Sequence, residues 1–136
     1  MERQSGSAPL RLAALLLTFA LSVLPLVARA EVALVMVEEH GCAWCARWNK
    51  EIGPIYPKTP EGQAAPLRRE MIGAPPHDIE FSRGLHFTPT FVLVEDGKEL
   101  GRIEGYPGED FFWGLLKEMM ERNGVALATG TPDETG

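Results

Sequence analysis

The sequence predicts an α/β domain whose central mixed β-sheet of about four strands is flanked by helices. A valine-rich apolar run at Val32–Val37 has the length of a buried strand. Phe91–Glu95 and Lys98–Glu104 flank Asp96-Gly97, a dipeptide typical of hairpin turns. Glu109–Arg122 is predicted to form a closing helix, because its apolar residues recur at helical spacing. Strands that alternate with helices favour a layered domain in which some strands are parallel.

The segments between these elements complete the predicted order. Cys42–Ile52 is predicted to form a helix that ends at Gly53-Pro54. Residues 54–66 contain four prolines and are predicted to form a loop. Pro66–Ile72 is a candidate second strand, and His77–Gly84 is a candidate short helix. No repeat or linker to a second domain is visible, so we expect one domain.

The first 30 residues have the layout of a secretory signal peptide. Arg3 and Arg11 provide a positive start, residues 12–27 form an apolar run, and Ala28-Arg29-Ala30 supplies small residues at a cleavage site. The alternative is an uncleaved membrane anchor. The apolar run has only 16 residues, whereas a membrane-spanning helix needs roughly 20. We therefore expect cleavage of residues 1–30 and export to the bacterial periplasm.

The exported chain is predicted to form one domain at residues 31–123, followed by a disordered tail at 124–136. After loss of the leader the chain carries 10 basic and 18 acidic residues, a net charge of −8. This balance excludes a protein that follows the phosphates of a nucleic acid. No segment stands out as an oligomer interface, so we expect a monomer.

Only two cysteines are present, Cys42 and Cys45, and they lie where a predicted strand gives way to a predicted helix. A disulfide between them would close a very small loop and constrain the unfolded chain little. The free N–H groups and the positive dipole end of a helix N-terminus stabilise a thiolate. Cys45 lies one turn further along the same side of the helix. The spacing therefore predicts a nucleophile and a resolving thiol for dithiol–disulfide exchange, with no cofactor beyond the pair itself.

Three other uses of a CxxC sequence compete with dithiol–disulfide exchange. A zinc site would need more ligands, and His40, His77 and His86 do not match the spacing of a zinc finger. Covalent haem attachment requires CxxCH, but residue 46 is alanine. An inert local disulfide stays open as an alternative at this point.

Thr88-Pro89-Thr90 precedes the first hairpin strand, and together with Cys42–Cys45, the preceding strand and the closing helix it resembles the thioredoxin family. The resemblance covers most of residues 31–123 and implies a thioredoxin fold. It also implies that Pro89 is cis and faces the cysteines, and that Thr88 offers backbone hydrogen bonds to an extended substrate. Cys42 would then be the exposed nucleophile and Cys45 the buried resolving cysteine.

The segments HGCAWC, HFTPTF and Tyr56–Arg69 add a finer resemblance, to the small periplasmic thioredoxins associated with bacterial sulfur-oxidation (Sox) systems. That resemblance implies client proteins with cysteines or disulfides, including Sox components, and a membrane thiol-reductant donor. Reduction is favoured over oxidation, because the chain lacks room for the helical insertion of the dedicated oxidases of the family. The alternatives are a redox-responsive binding module without turnover and a disulfide-forming oxidase.

The chain also departs from the family pattern. Met36 stands where many thioredoxins carry a buried acid. Glu38 lies on the same face of the predicted strand and is either a substitute proton acceptor or an ordinary solvated carboxylate. His40 either stabilises the thiolate of Cys42 or is a plain loop residue. Trp44, between the cysteines, is predicted to be exposed and to contact clients, and Trp48 is predicted to pack in the core.

Overall fold

The computed structural model describes residues 29–127, so residues 1–28 of the predicted leader and residues 128–136 of the predicted tail lie outside the described residues. In chain order the elements are β1 (Val32–Glu38), α1 (Ala43–Glu51), a 3-10 turn (Tyr56–Lys58), α2 (Pro60–Ala64), β2 (Leu67–Met71), β3 (Thr90–Glu95), β4 (Lys98–Glu104) and α3 (Glu109–Arg122). None of the helices within residues 29–127 is long and apolar enough to cross a bilayer.

The four strands form one mixed sheet in the order β2-β1-β3-β4. β1 pairs in parallel with β2 and antiparallel with β3, which in turn forms the antiparallel hairpin with β4. β1 is central, and its residues Leu34–Val37 are fully buried, as a strand covered on both faces requires. The predicted α/β class and the four-stranded mixed sheet are confirmed.

Both faces of the sheet are covered, but by different kinds of structure. On one face a large aromatic core joins β1, α1, β3 and α3; its central members are Trp48, Phe91, Phe112, Leu116 and Met120. On the other face Val35, Val37, Val92 and Val94 pack beneath the segment that connects β2 to β3, chiefly beneath Ile79. The core continues past the predicted domain end at residue 123, because Val125 is buried and Leu127 packs against the same cluster.

The predicted loop at residues 54–66 is wrong over most of its length, because it contains the 3-10 turn and α2. The Thr59 hydroxyl accepts a hydrogen bond from the Gly62 N–H at 3.0 Å and so caps α2, whose first residue is Pro60. Gly62 packs so tightly on Tyr56 that a Cβ atom would lie 1.8 Å from the Tyr56 carbonyl oxygen. The Tyr56 hydroxyl donates to the Ala65 carbonyl at 2.8 Å and ties the two short helices together.

The predicted helix at His77–Gly84 is also wrong, because this segment consists of turns and bends. Its backbone groups pair with backbone and side-chain groups of the β3–β4 hairpin rather than with one another as in a helix. The Arg102 guanidinium donates to the Arg83 and Gly84 carbonyls at 3.0 Å each. The Glu99 carboxylate accepts from the Ser82 N–H at 2.8 Å.

The pair formed by Glu99 and Arg102 is itself buried, with each side chain only 3% exposed. Burial alone would raise the pKa of Glu99, but hydrogen bonds from Arg102 and Ser82 outweigh it, so the pKa lies below its ordinary value. The folded state therefore binds this proton less readily than the unfolded state does. The resulting stability is present above the unfolded pKa and is lost as the pH falls through the folded pKa.

We therefore predict that Glu99→Gln lowers the free energy of unfolding at pH 7 by about 2 kcal/mol, because it removes the carboxylate that Arg102 contacts at 2.7 Å and leaves only that of Glu104, at 3.6 Å. The difference from the wild type should shrink as the pH falls below about 4.3, the ordinary pKa of a glutamate, because the unfolded state then binds the proton while folded Glu99 still resists it. Urea unfolding at pH 7 and at pH 3.5 measures it. A difference that is the same at both pH values would contradict the assignment.

Candidate active site

The cysteine pair lies at the junction between β1 and α1. Gly41 adopts a φ of +77° that favours glycine, and the chain turns there from the strand into the helix. Cys42 is the N-cap of α1, and its Sγ accepts a hydrogen bond from the Cys45 N–H at 3.1 Å. The two cysteines form a disulfide with a Cα–Cα distance of 5.2 Å. Cys42 is half-buried and Cys45 is 3% exposed.

This arrangement suits thiol–disulfide exchange, because the Cys42 sulfur is partly accessible whereas Cys45 is buried. After reduction, the Cys45 N–H that now contacts Cys42 Sγ remains in place to stabilise a thiolate, together with the N-terminus of α1. Cys45 lies on the inner side of the helix as part of the aromatic core. An incoming disulfide can therefore reach Cys42 but not Cys45.

The loop that precedes β3 carries the second feature predicted from the sequence. The peptide bond between Thr88 and Pro89 is cis. The Pro89 carbonyl accepts from the Gly105 N–H at 2.7 Å, and the Thr90 hydroxyl donates to the Phe87 carbonyl at 2.7 Å. The backbone N–H and C=O of Thr88 make no hydrogen bond within residues 29–127. These two groups can therefore pair with an added extended chain.

A side-chain hydrogen bond joins the two loops, and sequence reasoning missed it. The Thr88 hydroxyl donates to Oε1 of Glu39 at 2.6 Å, across 49 positions of the sequence. Glu39 lies three residues before Cys42 and lines the same cleft of about 380 Å³ as both cysteines. No local sequence signal identifies this contact, because it depends on the register between β1 and β3.

Trp44 is 54% exposed beside the cysteines, as predicted, and a network of side chains supports it. The Arg47 guanidinium lies 5.6 Å from the centre of the Trp44 ring and 5.9 Å from that of Tyr106. Glu51 accepts hydrogen bonds from the Tyr106 hydroxyl at 2.6 Å and from Arg47 Nε at 2.9 Å. These two hydrogen bonds lower the pKa of Glu51. Arg47, itself half-exposed, therefore contacts the Trp44 and Tyr106 rings as well as the Glu51 carboxylate.

Glu38 is paired rather than freely solvated. Its carboxylate accepts from Arg69 Nη1 at 3.1 and 3.3 Å, and its side chain is only 20% exposed. The same Nη1 lies 3.5 Å from the sulfur of Met36, the residue at the position of the missing acid. Arg69 also donates to the Asn49 side chain at 2.8 Å. Glu38 and Asn49 both line the cleft that contains the cysteines.

The remaining predicted residues fall as follows. His40 is exposed and lines that cleft. Trp48 is fully buried in the core, where its ring contacts those of Phe91 and Phe112. Among residues 29–127, no three histidine, cysteine or acidic side chains are grouped so that they could hold a metal ion. The histidines considered for a zinc site are therefore not brought together around the cysteine pair.

The contact between Arg47 and Trp44 leads to a prediction about side-chain order. Arg47→Ala should leave the Trp44 indole mobile, because an exposed cation–π contact contributes about 0.5–1 kcal/mol. The order parameter of the Trp44 indole N–H, measured by NMR relaxation, should fall, and Arg47→Lys should restore part of it. Arg122→Ala, which removes an arginine from α3 remote from the cysteines, serves as the control. An unchanged order parameter in Arg47→Ala would show that the contact does not hold Trp44.

The solved structures that are similar to this chain include two thioredoxins. The chain is similar to the periplasmic thioredoxin SoxS from Paracoccus pantotrophus, solved in its reduced form. The two share 50% sequence identity with a TM-score of 0.66, over 68% of this chain and 98% of that chain. A thioredoxin from Malassezia sympodialis matches at 19% identity and a TM-score of 0.43, over 65% of this chain and 75% of that one; it carries no weight in the assignment. No protein-family model and no curated protein matches the chain.

The similarity to SoxS extends over nearly the whole of that protein, at an identity that shows common descent. The expected thioredoxin fold is thereby confirmed. The Cys42–Cys45 disulfide at the N-terminus of α1 agrees with this fold, since it is a CxxC pair placed for redox exchange. The chain therefore belongs to the thioredoxin family and is a thiol–disulfide oxidoreductase.

Proposed function

We propose that the protein is exported to the periplasm and reduces disulfides of client proteins there, among them cysteine-bearing components of a sulfur-oxidising system. The observation that carries this proposal is the 50% identity to a periplasmic thioredoxin, SoxS, over 98% of its chain. The predicted signal peptide at residues 1–30 supports the same compartment.

The proposed reaction transfers two electrons from the cysteine pair to the client. The Cys42 thiolate attacks one sulfur of the client disulfide, which breaks that bond and releases one client thiolate that takes up a proton. Cys45 then loses its proton and attacks the Cys42 sulfur, which releases the second client thiol. The client ends as a dithiol and the protein as the Cys42–Cys45 disulfide that the structure contains.

Client binding is assigned to the surface around Cys42. The free backbone groups of Thr88 would pair with an extended client segment, and Pro89 shapes the loop that presents them. Trp44 and Phe87 are 54% and 58% exposed and offer apolar contact area beside this segment.

Two polar residues of the cleft are assigned supporting roles. Glu38 would accept the proton of Cys45, for which Met36 offers no basic group. Its support is that Glu38 lines the cleft with Cys45 while Arg69 holds its carboxylate in place. His40, exposed in the same cleft, would stabilise the Cys42 thiolate when protonated.

Reduction is the proposed direction, since β2 and β3 are connected by residues 72–89 without a helical insertion. The periplasm is oxidising, so a reductant there must itself be reduced by a dithiol donor in the membrane. The equilibrium reduction potential of Cys42–Cys45, measured in glutathione or dithiothreitol buffers, tests the direction. We expect a value near that of thioredoxin, about −270 mV, whereas a value near about −120 mV would identify an oxidase.

Cys45→Ser should trap clients as mixed disulfides, because the resolving thiol is absent while Cys42 still attacks. The trapped complexes should disappear on addition of dithiothreitol in a gel of periplasmic extract, and mass spectrometry identifies the clients. Cys42→Ser is the matched control and should trap none. If Cys45→Ser traps no more than the control, the alternative of a redox-responsive binding module without turnover is favoured.

A further inference from the structure

The carboxylate of Glu39 differs from the other acid that lines the cleft, Glu38, which is paired with Arg69. Outside the cleft, Glu51 is paired with Arg47 and Glu104 with Arg83. Glu39 is exposed, and none of the ion pairs within residues 29–127 includes it. Its one side-chain partner is the neutral hydroxyl of Thr88, at 2.6 Å from Oε1. No cationic side chain within the described residues therefore offsets the Glu39 carboxylate next to Thr88.

This charge is held in place. The hydrogen bond from Thr88 fixes one carboxylate oxygen, while Oε2 makes no hydrogen bond within the described residues. Glu39 is also anchored through its backbone, since its carbonyl accepts from the Cys42 N–H at 3.4 Å. A partner that binds Oε2 pays less side-chain entropy than it would at an unconstrained glutamate. The position next to the free backbone groups of Thr88 puts this oxygen within reach of a client segment lying there.

We propose that Glu39 makes the protein selective for client segments that carry a lysine or arginine close to the reacting cysteine. This inference rests on the proposed function, because it assumes that an extended peptide binds along Thr88. The Thr88 backbone fixes the peptide, Trp44 and Phe87 provide apolar contact, and Glu39 attracts the basic side chain. An acidic client segment is disfavoured at the same place by repulsion.

The effect has the size of an exposed but positioned ion pair. Such pairs contribute about 0.2–1 kcal/mol, so a basic peptide should react about 1.4- to fivefold faster than an uncharged one at low salt. The preference should fall towards one as the ionic strength rises, because salt screens exposed charges. This dependence separates the electrostatic contact from apolar binding to Trp44 and Phe87, which salt does not weaken.

The test uses three symmetric disulfide-linked peptide dimers of equal length, with two lysines, two glutamines or two glutamates flanking the cysteine. The reduced full-length protein is mixed with each dimer, and the released peptide thiol is measured after acid quench. Glu39→Gln keeps an oxygen that accepts from Thr88 but removes the charge. Glu80→Gln makes the same change of net charge at an exposed glutamate outside the cleft and is the control.

The quantity compared is the ratio of the lysine rate to the glutamate rate. A change in the intrinsic reactivity of Cys42 affects both rates equally and cancels. Flanking charges also alter the reactivity of the peptide disulfide itself, but equally for every variant, so we expect the ratio to be about fivefold higher in the wild type and in Glu80→Gln than in Glu39→Gln. A ratio that Glu39→Gln leaves unchanged overturns the proposal. If the wild type reduces none of the three peptides, the proposed reductase function fails instead, which is a distinguishable result.

Discussion

The packing of Trp48 against Phe91 and Phe112 holds the reactive end of the protein in place. Ring centres 5.2 and 5.8 Å apart join α1 to β3 and α3, which fixes the helix on which both cysteines depend. Cys45 is one turn away on the same buried side, so the resolving sulfur is held by the core itself. Cys42, at the N-cap, is left to face the cleft. The asymmetry between the two sulfurs is thus a consequence of core packing.

Around this anchor, the loops of the site are linked to one another rather than held separately. The β1–α1 loop reaches the cis-proline loop through Glu39 and Thr88. The cis-proline loop is joined by Pro89 to Gly105, and Tyr106 leads back through Glu51 and Arg47 to Trp44. Each connection is a single hydrogen bond or ring contact of modest energy. Together these contacts connect the β1–α1 loop, the cis-proline loop and Trp44, so the groups that would meet a client are held relative to one another.

The parts of the fold that the sequence predicts well are those specified locally. The bounds of β4 and α3 agree with the prediction because Asp96-Gly97 and a regular apolar spacing define them within a few residues. The segment at 77–84 is not a helix, because its backbone pairs with groups of the β3–β4 hairpin, among them Arg102, which lies about 20 positions away. The cysteine pair is visible in the sequence as a motif. The contacts of Glu39 and Arg47 are not, since each depends on a partner that the tertiary fold brings near.

The chain has just two cysteines, and their disulfide joins residues three positions apart. Such a short covalent bridge restricts the unfolded chain far less than one that ties distant strands together. We therefore expect loss of the bond to change the stability of the fold little, since the sheet, the aromatic core and the buried ion pair lie outside the short loop that the bond closes. The folded structure should then not depend on whether Cys42 and Cys45 are reduced or oxidised. Such a protein can pass repeatedly between the two oxidation states without unfolding.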